Sequence, residues 1–256
     1  MNEWIRKSIE IAHSTDYLDK LHEVYPVAHE VPRDLPEKNE RKLRQLCEAG
    51  DDLELLRELL KLPKFPINDP YVAFLRRDER ALEKNPQTVS RIARRIREMG
   101  ADNMIKAITQ PKEFNRQMGT LFRRWISTLS YPLSMVEELG ACEIAFLKGG
   151  DETLLRFANE KLKCNLDKAP DFIAKVKQKY VIGEAKFLTD YGGHQYAQLQ
   201  DALRLLNQHE GEALRVAILD GVVWIKNSTK MYRTISVVDK PAFTALLLKE
   251  FLLSLG

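Results

Sequence analysis

Cysteine is scarce in this 256-residue chain. Cys47, Cys142 and Cys164 are far apart, odd in number and form no Cys-x-x-Cys pair. That pattern argues against a disulfide framework or a zinc site and for a reducing cytoplasm. Long apolar runs are missing too. None reaches the ~18 residues of a membrane span, and the opening Met1-Asn-Glu-Trp-Ile-Arg is not built as a signal peptide. The expectation is a cytoplasmic protein with no membrane partner. There is no Walker A loop, no Gly-x-Gly-x-x-Gly, no His-Glu-x-x-His and no internal repeat, which removes the common nucleotide-binding and metalloprotease signatures. The one glycine-rich spot, Tyr191-Gly-Gly-His194, is too short to cradle a nucleotide. A large charge excess is absent as well: 40 Lys and Arg against 37 Asp and Glu give +3, too little by itself to imply a polyanionic partner.

What remains is a globular composition, 44% hydrophobic and 30% charged, long enough for one large domain or two small ones. The first half reads as helices. Trp4, Ile5, Ile9 and Ala12, then Tyr17, Leu18 and Leu21, follow a helical spacing interrupted near His13-Ser14-Thr15. A helix is expected over 36–49, closed by Gly50. The next starts at Asp51-Asp52, carries Leu53, Leu56, Leu59 and Leu60 as a core stripe, and stops at Pro63. Further helices are expected over 71–84 and from Asn85-Pro86 to Met99-Gly100.

Charge is unevenly placed along this half. Residues 91–124 hold nine Lys and Arg against only Glu98, Asp102 and Glu113. Arg91, Arg94 and Arg95 share one face of their helix and Ile92, Ile96 and Met99 the other, with few acids nearby in sequence to pair with the arginines. A cationic stripe of this kind suits a phosphate backbone, the alternative being a solvated face. The helix expected over 111–126 adds Arg116, Gln117, Arg123 and Arg124 as polar groups able to reach DNA. The division expected is a helical DNA-binding region over 1–110 and a second region over 111–256.

The second region contains the stretch that carries chemistry, running from Pro170-Asp171 to Gly183-Glu184-Ala185-Lys186. Phe172, Ile173 and Val176 form one apolar run and Tyr180, Val181 and Ile182 another, the pattern of a hairpin. Side chains two apart share a strand face, so Glu184 and Lys186 are neighbours. A loop of even length around 177 and 178 places Asp171 opposite one of them, whereas a one-residue slip sends it to the other face. Two hard carboxylates suit Mg²⁺, with Asp171 and Glu184 as ligands. Lys186 would then act on the attacking water and the growing phosphoryl charge. The plain alternative is a solvated hairpin.

Beyond it, a helix after Gly192-Gly193 carries His194, Gln195 and Gln198 near its N-terminus, where glutamines can reach phosphates or base edges. Residues 214–219 read as a buried strand, Asp220-Gly221 as a turn before Val222-Val-Trp224-Ile, and Asp239-Lys-Pro241 as the start of the last helix.

Pro170-Asp171, Glu184-Ala-Lys186 and the longer run Tyr180-Val-Ile-Gly-Glu-Ala-Lys-Phe-Leu-Thr-Asp-Tyr-Gly-Gly-His-Gln195 resemble type II restriction endonucleases of the PD-(D/E)xK nuclease superfamily. Pro111-Lys-Glu-Phe-Asn-Arg-Gln-Met-Gly119 and Val216-Ala-Ile-Leu-Asp-Gly-Val-Val-Trp-Ile225 accompany it. The resemblance implies an α/β fold, a restriction-endonuclease-like mixed sheet core flanked by helices, beside the helical N-terminal half. It also implies Mg²⁺-dependent hydrolysis of double-stranded DNA, a homodimer, and a cognate DNA methyltransferase that protects the host. Asp171, Glu184 and Lys186 would be the catalytic residues. A repair or recombination nuclease of the same superfamily and a non-catalytic DNA-binding protein are the competing expectations.

Overall fold

Side-chain caps open two of the helices of the first half. In the computed structural model, which describes residues 1–26, 32–78, 80–111, 117–136, 138–139 and 142–256, Asn2 accepts the Trp4 N–H at 2.9 Å and starts α1 (Glu3–Ala12). Helix α2 (Tyr17–Val24) follows the expected break. Helix α3 (Glu37–Ala49) ends at Gly50, whose φ of 73° is the left-handed conformation expected of that cap. Asp51 accepts the Glu54 N–H to open α4 (Asp52–Lys61). The helix expected over 71–84 is two, α5 (Val72–Arg77) and α6 (Arg80–Lys84), because Asp78 turns extended and its carboxylate takes the Arg80 N–H. Helices α7 (Pro86–Met99) and α8 (Ala101–Thr109) meet at Gly100. Of the helix expected over 111–126, the described part is α9 (Met118–Ile126); residues 112–116 lie outside the described residues.

The chain divides into two compact units, Ala28–Glu113 and a larger one made of Met1–Val27 with Phe114–Gly256. The first is helical, and its core is the leucine stripe of α4 with Ile92 and Ile96 of α7 and Met104 of α8. The opening helices belong to the larger unit. Ile5, Ile9 and Leu21 lie in the core of the larger unit.

That unit is built on a six-stranded mixed sheet in sequence order: β1 (Leu133–Ser134), β2 (Ile144–Leu147), β3 (Phe172–Val176), β4 (Lys179–Leu188), β5 (Ala213–Gly221) and β6 (Ala242–Phe243). The pairs β2–β3 and β3–β4 are antiparallel; β1–β2, β4–β5 and β5–β6 are parallel. Helix α10 (Asp151–Arg156) passes through a π turn before β3, and α11 (Gly193–Asn207) makes the crossover that parallel β4 and β5 require. Both sheet faces are covered. Phe172, Ala174 and Val181 pack on one side with Phe122 of α9 and Leu199 of α11, while Ile173 and Ile182 pack on the other with Leu154 and Phe157. Helix α12 (Lys230–Ser236), unforeseen in the sequence, and α13 (Leu248–Ser254) complete it.

Two expectations fail at the end of the chain. Asp220-Gly221 is no hairpin turn but the end of β5. The last helix does not start at Pro241, because Ala242 and Phe243 first fill an edge position beside Ala217 and Ile218. Asp220 has no solvent exposure; it takes the Thr244 hydroxyl (2.5 Å), the Tyr25 hydroxyl (2.8 Å) and the Ala245 N–H (3.2 Å). Tyr17 accepts the Gly221 N–H, and Ser8 accepts the Thr244 N–H. These bonds pin α1 and α2 to the sheet.

Burial outweighs those hydrogen bonds and pushes the Asp220 carboxyl up to about 6. The native state therefore holds an extra proton between the ordinary carboxylate range and about 6, and this group's contribution to stability falls as pH rises through that window, then levels off. Asp220→Asn removes that dependence. Urea melts at pH 4 and pH 7 should show the variant gaining on the wild type by on the order of 2–3 kcal/mol; a constant difference would refute a protonated Asp220.

Candidate active site

The hairpin register decides whether the carboxylates meet. Phe172 pairs with Gly183 and Val176 with Lys179, leaving a two-residue loop of Lys177 and Gln178. Lys177 takes a φ of 52°, the positive value that tight hairpin loops need at their first residue. This is an even loop, and the parity expected of it holds. Ile182, Glu184 and Lys186 alternate onto the sheet face that carries Ile173, and Asp171 stands beside Glu184 at the head of β3.

Asp171 is held at both ends. Its N–H donates to the Gly183 carbonyl and its Oδ2 accepts the Ala185 N–H, each at 2.8 Å. Arg123 of α9 donates to its backbone oxygen at 3.2 Å and approaches Oδ1 at 3.5 Å, while its other nitrogen pairs with Asp151 at 2.6 Å. Gly119 faces the same carboxylate: a Cβ there would lie 3.9 Å from Oδ1. Glu184 is more enclosed, its side chain 5% exposed. Its Oε1 receives the Lys186 ammonium at 2.5 Å and also the ammonium of Lys168. Lys168 and Asp220 form no motif in the sequence, and Arg123, expected there as a polar group able to reach DNA, pairs with Asp171 and Asp151. Lys168 lies only three residues before Asp171, but a position on a loop carries no periodicity to mark it.

Burial, and after it the Glu184 charge, raise the Asp171 carboxyl, against the Ala185 N–H and the Lys186 and Arg123 charges. Two carboxylates crowded into low dielectric in this way fit a divalent cation, whose charge would relieve both. No third His, Cys, Asp or Glu joins them among the described residues.

The expected DNA-contacting residues fare unequally. Arg116 lies outside the described residues. Gln195 is buried, and its amide is taken up by the Thr189 N–H and hydroxyl, so it braces the loop after β4. Gln198 is half-buried and bonded to His194 at 3.1 Å. Gln117 precedes α9 and is half-buried. In the helical unit the arginines of α7 do have an acidic partner, one distant in sequence. Asp69, its side chain 2% exposed, pairs with Arg91 at 2.6 Å and Arg95 at 3.1 Å. Arg91 also lies over the Tyr71 ring. Arg94 is two-thirds exposed, with Glu98 3.9 Å away.

Among the described residues no helix is long and apolar enough to cross a membrane. No curated protein and no solved structure matches the chain. A family model described as Tsp45I type II restriction enzyme does match, over residues 2–255. Since that match spans essentially the whole sequence, the chain belongs to the Tsp45I type II restriction enzyme family, and with it to the site-specific deoxyribonucleases.

Proposed function

We propose that this restriction endonuclease uses Mg²⁺ held by Asp171 and Glu184, with Lys186 as its catalytic lysine, to hydrolyse phosphodiester bonds of double-stranded DNA at one short sequence. It would work as a homodimer in the cytoplasm, beside a methyltransferase that protects host DNA. The observation that carries the reading is the meeting of Asp171, Glu184 and Lys186 on one patch, in the register their spacing requires.

Asp171 and Glu184 would hold the cation, which would supply Lewis acidity at the phosphate. The chain's own residues do the rest. Asp171 is fixed by the Ala185 N–H and Arg123, so its free lone pairs keep one direction. Lys186, on the rigid β4, presents an ammonium at the edge of Glu184, where it can donate to the non-bridging oxygens as their charge grows. Water attacks phosphorus in line, and the bond to the leaving oxygen breaks opposite it. In the helical unit, Asp69 orders Arg91 and Arg95 on the same helix as the exposed Arg94, a preformed cationic face suited to backbone phosphates.

Plasmid digestion tests this. Discrete fragments are expected with Mg²⁺ and none after chelation, with cleavage restored by Mg²⁺ alone. A smear, or cutting that survives chelation, would count against the proposal.

A further inference from the structure

The unusual feature of the site is that one carboxylate oxygen serves two ammonium groups. Lys186 and Lys168 both donate to Glu184 Oε1. The two lysines differ in freedom. Lys186 rises from the eighth residue of a ten-residue strand and its side chain is 19% exposed; the Lys168 side chain is 67% exposed. The backbone leading to Lys168 is nonetheless well anchored. Asn159 bonds the Leu166 backbone twice, at 2.7 and 2.9 Å, and Cys164 and Leu166 are buried among Leu154, Phe157 and Leu162. Lys163 and Asn165 accept positive φ to hold the loop's course. A fixed backbone thus carries a long side chain that is mostly in solvent. An open cleft of about 170 Å³ adjoins its ammonium and Glu184. Asp167, and Asp201 paired with Arg204, also line that cleft, which leaves the ammonium room to move.

We infer that Lys168 is a phosphate-contacting residue of the cleavage reaction: it rests on Glu184 in the DNA-free protein and passes to a backbone phosphate of the bound duplex when the cation takes that carboxylate. The inference rests on the metal-ligand reading of Asp171 and Glu184. A dication and two ammonium groups cannot share one oxygen without strong repulsion at low dielectric. The group that leaves is the one with solvent on most sides and no strand holding it, which is Lys168. Once released it is a point charge with three donors at the rim of the site, and a DNA phosphate is the partner that arrives with the substrate.

The test keeps Lys186, because both ammonium groups must compete for Glu184, and uses a duplex that cannot be cut. The probe carries a site that the wild-type protein cleaves, located by sequencing the ends of digested plasmid, with the leaving oxygen of the scissile phosphate replaced by a methylene group. Affinity is measured against salt concentration with and without Mg²⁺ for the wild type, Lys168→Met and Lys168→Arg. With Mg²⁺, Lys168→Met should flatten the log–log salt slope by about 0.9, one phosphate contact, and Lys168→Arg should restore it. Without Mg²⁺ the three slopes should coincide, a dependence that a merely structural ion pair would not produce. Equal slopes in Mg²⁺ would overturn the role of Lys168, whatever happens to the melting temperature. Cleavage by Lys186→Ala at the wild-type rate would instead overturn the site on which the inference rests.

Discussion

Lys186→Ala is expected to lower the rate of DNA cleavage by about three powers of ten while leaving duplex affinity within a few-fold of wild type. The rate effect follows from what the ammonium does. A donor placed where charge develops in the transition state, in a site that excludes water, is worth about 10²–10³ in rate when removed alone. Lys186 adds a charge beside the attacking water, which puts it at or beyond the upper end. Affinity should change little because the protein has 40 lysines and arginines from which to draw phosphate contacts, and this one is engaged with Glu184. The fold should survive as well: Glu184 keeps Lys168 as a counter-ion, so no buried carboxylate is left bare. Single-turnover cleavage and a binding assay on the same variant separate the two effects. Cleavage at the wild-type rate would remove Lys186 from the mechanism; a matching loss of binding would make it a binding residue.

The same residues show how far the sequence could be read. The Asp171–Glu184–Lys186 patch was legible because strand periodicity is rigid: once the loop at 177 and 178 has even length, the faces follow. Helix ends at Gly50 and Gly100 were legible for a similar local reason, a backbone conformation that favours glycine. What stayed hidden depends on partners far away in the chain. Asp220 looked like half of a turn dipeptide because its true partners, Tyr25 and Thr244, are 195 and 24 residues distant. Asp69 reaches across 22 and 26 residues to Arg91 and Arg95, so counting acids near the arginines made them seem unpaired. Gln195 looked like a DNA contact because it opens a helix, a place where polar side chains are usually exposed. Its burial follows from the way the loop after β4 folds back on Thr189. Local rules placed the elements and the catalytic face, but the polar contacts between distant segments emerge only in the folded chain.

Gly221→Ala should be the costliest methyl group that can be added to the sheet. Gly221 closes β5 with φ 89° and ψ −143°, a region that residues with a side chain avoid. Its ladder partner is Leu188, the last residue of β4. A Cβ at Gly221 would lie 2.2 Å from the Leu188 carbonyl oxygen and 3.1 Å from its carbon, both backbone atoms that no rotamer change can move aside. The ends of β4 and β5 would have to separate, and with them the Tyr17 hydroxyl that accepts the Gly221 N–H and the neighbouring Asp220 network. Strain and clash together should cost about 4 kcal/mol or more, which for a unit of this size lowers the melting temperature by about 10 °C. Gly193→Ala is the control. Gly193 begins α11, is exposed, and has nothing within 4 Å of the added carbon. Alanine there should be neutral or stabilise the helix by up to about 1 kcal/mol. If Gly221→Ala melts with Gly193→Ala and the wild type, the close approach of β4 and β5 at Leu188 is wrong. The strand that carries Glu184 and Lys186 would then not be held at its far end in the way described.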